Sequence, residues 1–152
     1  MRLSILIIIA FFSAILTPTH ASNFNLDTGF AADASKYNKT LINAVSKAGT
    51  RLIGVGIHGI IIYSDDNGTN WEQATVPTTK TLTDIDCVNK NVCWATGHDA
   101  YILKTTDRGQ NWIIQYQDEI FDAPLLSISM FNENAGIAVG AFAKSLMTTD
   151  GG

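Results

Sequence analysis

The stretch TTDRGQNW, residues 105–112, has a near twin in SDDNGTNW at residues 64–71 and a third start in TTDGG at residues 148–152. Superposed, they read S/T-x-D-x-G-x-N-W. Ser64, Asp66, Gly68, Asn70 and Trp71 match Thr105, Asp107, Gly109, Asn111 and Trp112, and then Thr148, Asp150 and Gly152. The starts lie 41 and 43 residues apart, a period that marks stacked copies of one supersecondary unit. The third copy reaches its glycine without the tryptophan, so the chain is expected to stop inside a repeat.

Working outward, RLIGVGIHGIIIYS (51–64), VCWATGHDAYILKT (92–105) and AGIAVGAFAKSLMT (135–148) superpose without a gap. In each, an apolar strand ends at a glycine (Gly56, Gly97, Gly140), passes a three-residue turn and restarts as a strand running into the Ser/Thr. TLTDIDCV and LLSISMF supply an upstream strand, with Ile85 and Cys87 matching Ile128 and Met130, while WEQATV and WIIQYQ supply a downstream one. Four short strands per repeat of about 40 residues predict an all-β fold, a β-propeller of four-stranded antiparallel blades. Residues 41–152 are expected to form two complete blades and most of a third, an open arc apparently truncated to about three blades.

Within the eight-residue motif an ionised Asp66 or Asp107 is acceptor-only and suits backbone N–H groups across a tight turn. Gly68, Gly109 and Gly152 supply positions where positive φ is cheap, and Trp71 and Trp112 are expected to bury under the hairpin that follows. These roles are structural, so the motif marks a fold and no catalytic residue is assigned to it.

The motif resembles the Asp-box of bacterial neuraminidase repeats. The fuller blade pattern, VGxxGxIxxSxDxGxxW, is similar to propellers related to the photosystem II stability and assembly factor of chloroplasts and cyanobacteria, over residues 41–152. ATGHDAYILKTTDRGQNW and APLLSISMFNENAGIAVGAF look most like exported proteobacterial members. The resemblance implies a protein that binds another exported or membrane protein and assists its assembly, with no cofactor. The alternative carried by the shared Asp-boxes is a sialidase-like glycoside hydrolase, with a carbohydrate-binding propeller between the two. Asn70 and Asn111 stand where the consensus has threonine, Arg108 where it has glycine, and Ala100 and Ala143 where Gly59 keeps one; each departure is expected to loosen its own turn.

Arg2, an apolar run from Ile5 to Leu16 and the Thr19-His20-Ala21 site form a secretory signal peptide, residues 1–21, with cleavage expected after Ala21. The alternative is an uncleaved anchor. Cleavage makes the protein periplasmic or secreted, with no stable membrane insertion. Residues 22–40 match no repeat and read either as a linker or as a leader that adds an outer strand. Cys87 and Cys93 flank the turn VNKNV and face each other across a hairpin, where an oxidising compartment favours a disulfide. A reactive or metal-binding pair is the alternative, but no further ligand sits at metal spacing, so no metal site is expected. Loss of the signal peptide removes only Arg2 from the ten Lys and Arg, and the net charge moves from -4 to -5. That balance offers no basic face for nucleic acid.

Turns between second and third strands share one propeller face, around the channel, with the links from blade to blade; the Asp-boxes lie on the other. The channel face therefore receives His58, His98, Asp99 and Phe142 from the turns and Asp118, Glu119, Phe121 and Asp122 from a link. Loops on a rigid scaffold are where binding residues collect, and His58, His98, Asp99, Asp118, Glu119 and Phe142 form the expected partner-binding set. Each has a plainer reading: solvated histidines, an Asx turn at Asp99, ordinary charged loops, and phenylalanines packed between blades. A sialidase gathers three arginines on the substrate carboxylate, because the guanidinium fork suits that group. Beyond Arg2 this chain has only Arg51 and Arg108, which weighs toward binding.

Overall fold

The computed structural model describes residues 29–33, 40–118, 120 and 123–152. The signal peptide and most of the leader lie outside them. Among the described residues, eleven strands make three antiparallel sheets. Blade 1 is β1 (Ile42–Ala48), β2 (Arg51–Gly56), β3 (Ile61–Ser64) and β4 (Glu72–Gln73). Blade 2 is β5 (Leu82–Cys87), β6 (Cys93–Gly97), β7 (Ile102–Thr105) and β8 (Ile113–Tyr116). Blade 3 holds β9 (Leu125–Met130), β10 (Gly136–Gly140) and β11 (Ser145–Thr148). Each sheet is ordered as the chain runs, the meander of a propeller blade.

The strands beginning each blade stand side by side, β1 against β5 and β5 against β9. Carboxylates from the sequence TDID join the second pair. Asp84 Oδ2 accepts from the Ile128 N–H at 2.9 Å and the Ser127 hydroxyl at 2.8 Å, and Asp86 Oδ2 accepts from the Met130 N–H at 2.7 Å. Between the sheets, Ile53, Val55 and Ile61 of blade 1 pack with Ile85, Ala95, Leu103 and Trp112 of blade 2. A second layer joins Trp94 of blade 2 to Leu125, Ile128 and Ala138 of blade 3. Stability is thus distributed over blade-to-blade layers, as in any stacked repeat.

The recurring glycine at the end of the second strand is explained by space. Gly56 and Gly97 are extended, at φ -160° and -164°, which any residue adopts. A Cβ there would lie 2.1 Å from the Leu41 carbonyl or 2.4 Å from that of Thr81, and at Gly140 it would lie 2.2 Å from that of Pro124. The turn must press this closely because the next N–H donates to the same carbonyl: Ile57 to Leu41, His98 to Thr81 and Ala141 to Pro124, at 3.2, 2.9 and 3.0 Å.

Cys87 and Cys93 are opposed in the β5–β6 ladder and form a disulfide, with Cα atoms 4.0 Å apart. In the leader, the Ala31 N–H donates to the Val76 carbonyl and the Ala32 N–H to that of His58. This segment lies against the turn and link of blade 1.

Candidate functional site

Because the strands alternate in direction, the β2–β3, β6–β7 and β10–β11 turns leave the same end of their sheets as the links between blades. Their hydrogen bonds repeat. Gly56, Gly97 and Gly140 donate to the carbonyls of Ile60, Tyr101 and Lys144, whose N–H groups return to Ile57, His98 and Ala141. At the apex His58, Asp99 and Phe142 take φ of 56°, 55° and 54°. That left-handed conformation is tolerated by His and Asp and costs more for Phe, so the scaffold holds Phe142 in a position it would not choose. Phe142 is 80% exposed rather than packed between blades, and His58 and His98 are also exposed.

Ion pairs tie two of these turns to the links before them. Lys80, in the link from blade 1, meets Asp99 at 2.5 Å, and Asp118, in the link from blade 2, meets Lys144 at 3.0 Å. The hydrogen bond that the Lys144 ammonium donates to the Asp118 carboxylate holds its pKa above the usual value. Asp99 and Asp118 therefore act as half-buried turn anchors, while His58, His98 and Phe142 present themselves outward. Ile120, 98% exposed, sits in the same link as Asp118. Glu119, Phe121 and Asp122 lie outside the described residues. Lys80 and Lys144 were not expected here, since a lone lysine in a loop carries no sequence signal for its partner.

The opposite end carries the Asp-boxes. Ser64 and Thr105 receive the Gly68 and Gly109 N–H groups at 2.8 and 3.1 Å and donate to Asp66 and Asp107. Each Asp then accepts twice from one asparagine: Asp66 from the backbone and side-chain nitrogens of Asn70 at 2.8 and 2.6 Å, and Asp107 from those of Asn111 at 3.0 and 2.8 Å. The asparagines clamp the turn instead of loosening it, because their amide reaches the second carboxylate oxygen. Bonds from Asn70 and Ser64 pull the Asp66 carboxyl down to about 2. Burial pushes Asp107 up, but bonds from Asn111 and Thr105 outweigh it and leave the pKa below the usual value. In the third copy it is Gly151, one residue early, whose N–H donates to Thr148, while Gly152 donates to Asp150.

Trp71 and Trp112 donate their indole N–H groups to the Gly68 and Gly109 carbonyls. Trp112 is 3% exposed, but Trp71 is 40% exposed, against the expectation of burial. The difference is the neighbouring sheet: Trp112 is covered by blade 1, whereas no sheet precedes Trp71 among the described residues. Both arginines serve this end. Arg51, 3% exposed, forks onto Asp65 and lies 4.2 Å over the Tyr63 ring, and Arg108 meets Asp65 at 3.3 Å. Among the described residues no cluster of His, Cys, Asp and Glu could hold a metal, and no helix is long and apolar enough to cross a membrane.

Residues 64–152 match the family described as photosynthesis system II assembly factor YCF48. The chain belongs to that family. No curated protein matches the sequence. Similar solved structures include "YCF48 bound to D1 peptide", with TM-score 0.66 and 20% identity, and "YCF48 from Cyanidioschyzon merolae", with TM-score 0.64 and 18% identity. Each alignment covers 74% of this chain and 38% of the YCF48 chain. At that identity the likeness speaks for the propeller fold.

Proposed function

We propose that this protein is a non-enzymatic exported scaffold that binds a protein partner through its turn-and-link face. The observation carrying the proposal is the three-fold repetition of one rigid turn that ends in an outward side chain, His58 or Phe142, or in an anchored one, Asp99. An exposed aromatic such as Phe142 suits protein contact, because aromatic residues are enriched among interface hot spots. Membership in the YCF48 family supports this reading, as does the relative solved with a D1 peptide on it. The partner here is an exported or membrane protein. The Cys87–Cys93 disulfide is consistent with export through the signal segment at residues 1–21 into the periplasm or beyond.

The hydrolase alternative loses its support from the arginines. Arg51 and Arg108 are both committed to Asp65 on the Asp-box side, so neither can help clamp a carboxylate on the turn face.

The test is affinity capture from envelope extracts with the wild-type chain and with a triple variant, His58→Asn, Asp99→Asn and Phe142→Asn. Asparagine tolerates the left-handed region, so the variant should melt within a few degrees of wild type. Loss of one captured protein by the variant supports the proposal. Equal capture by both chains, or sugar release by the wild type, contradicts it.

A further inference from the structure

Residues 30–33 of the leader lie on the turn face at blade 1. The Ala31 N–H donates to the Val76 carbonyl at 2.9 Å, in the link of that blade, and the Ala32 N–H to the His58 carbonyl at 3.1 Å, at the apex of its turn. The Gln73 side chain of β4 donates in return to the Ala32 carbonyl at 2.6 Å. Ala31 is half-buried and packs against the core layer that contains Ile61, Ala74 and Val76, while Phe30 and Asp33 on either side are exposed.

The seat that receives this segment is held in place by the blade itself. The Ile60 N–H closes the turn onto the Ile57 carbonyl. Turn and link are pressed together at Gly59, where a Cβ would collide with the Thr78 carbonyl, and Val76 and Thr78 are buried. The leader supplies two N–H groups, one carbonyl and one small side chain. Such contacts read shape more than sequence, because every residue but proline carries the same main-chain groups. N–H groups spent on Val76 and His58 are not available to a helix, so the seat fits a non-helical segment with a small residue at the Ala31 position.

We propose that this seat is a peptide-docking site in which the leader stands in for the partner. A non-helical segment of the partner polypeptide, with alanine, serine or glycine where Ala31 lies, takes the Val76 and His58 carbonyls and the Gln73 amide and displaces the leader. The proposal rests on the turn-face reading, since His58 belongs to that face. Tethering gives the leader a high effective concentration at the seat, so the leader lowers the apparent affinity for the partner and sets a threshold for capture.

The probe is a blocked synthetic peptide of residues 28–34, Thr-Gly-Phe-Ala-Ala-Asp-Ala. Unlabelled peptide is added in excess to the 15N-labelled full chain. The expected result is a shift of the chain's own Ala31 and Ala32 amide resonances as its leader is displaced, with no shift from a peptide that has proline at both alanines, which lacks the two donors. The chain variant Ala31→Pro with Ala32→Pro, altered outside every strand, should bind the alanine peptide about tenfold or more tighter than wild type does, by calorimetry. In affinity capture, excess alanine peptide should release the partner from wild type. Unmoved Ala31 and Ala32 resonances, equal effects of the two peptides, or equal affinity of the two chains overturns the proposal, and the labelled wild type decides the matter even if the variant folds poorly. Capture that the peptide leaves untouched, but that the triple turn variant loses, overturns this proposal alone and leaves the turn-face reading standing.

Discussion

The Arg51 guanidinium donates to the Arg108 carbonyl at 3.0 Å while forking onto Asp65. One side chain from β2 thus fastens an acidic residue of its own Asp-box to the backbone of the next. The bonds that Arg51 donates to the Asp65 carboxylate hold the Arg51 pKa above its ordinary value and that of Asp65 below its own. Arg51→Met should lower stability by about 2–3 kcal/mol, since bonds to charged groups are the stronger class. Urea unfolding measures this, and Arg51→Lys should recover only part of the loss because a point charge cannot fork.

Asp107→Ala strands the Gln110 and Asn111 N–H groups that the carboxylate now receives. The expected cost is about 1–3 kcal/mol, read as a lower urea midpoint. Asn111→Ala should cost less, since only the side-chain bond is lost. Partner capture by either variant should be unchanged at a temperature where it is folded.

Acid should weaken the Asp-boxes in a defined window. Asp66 has a folded pKa of about 2 against 3.8 for the free group, and Asp107 and Asp150 shift the same way. A depressed carboxylate contributes stability that is full above the unfolded value and is lost as pH falls through the folded one. Melting temperature should therefore fall between about pH 4 and pH 2. Asp66→Asn, which cannot titrate, should flatten part of that fall, and an unchanged slope would count against the hydrogen-bond account.

Reducing the Cys87–Cys93 bond should cost about 2 kcal/mol, because the loop it closes is short. The comparison is thermal melting of the oxidised chain against Cys87→Ser with Cys93→Ser. Mass spectrometry of alkylated, unreduced peptides reports the bond directly.

The repeat made the blade pattern, the disulfide and the placement of turns against Asp-boxes legible, because each follows from the period and from strands alternating in direction. Trp71 and Trp112 occupy identical motif positions, and their burial differs through the neighbouring sheet, which no motif encodes. The pairs Lys80 with Asp99 and Lys144 with Asp118 join segments 19 to 26 residues apart, across a distance set by how the link curls over the turn. Asn70 and Asn111 looked like weak substitutes in a threonine position. Their second bond to the aspartate becomes visible only with the amide's reach.

The central claim is that a protein partner docks on the turn face. A photo-crosslinking benzoylphenylalanine placed at Phe142 tests it, with Thr106, exposed in the second Asp-box, as the opposite-face control. The account predicts a covalent product with the captured partner from position 142 and none from position 106. A product from position 106 alone, or equal products from both, would contradict it.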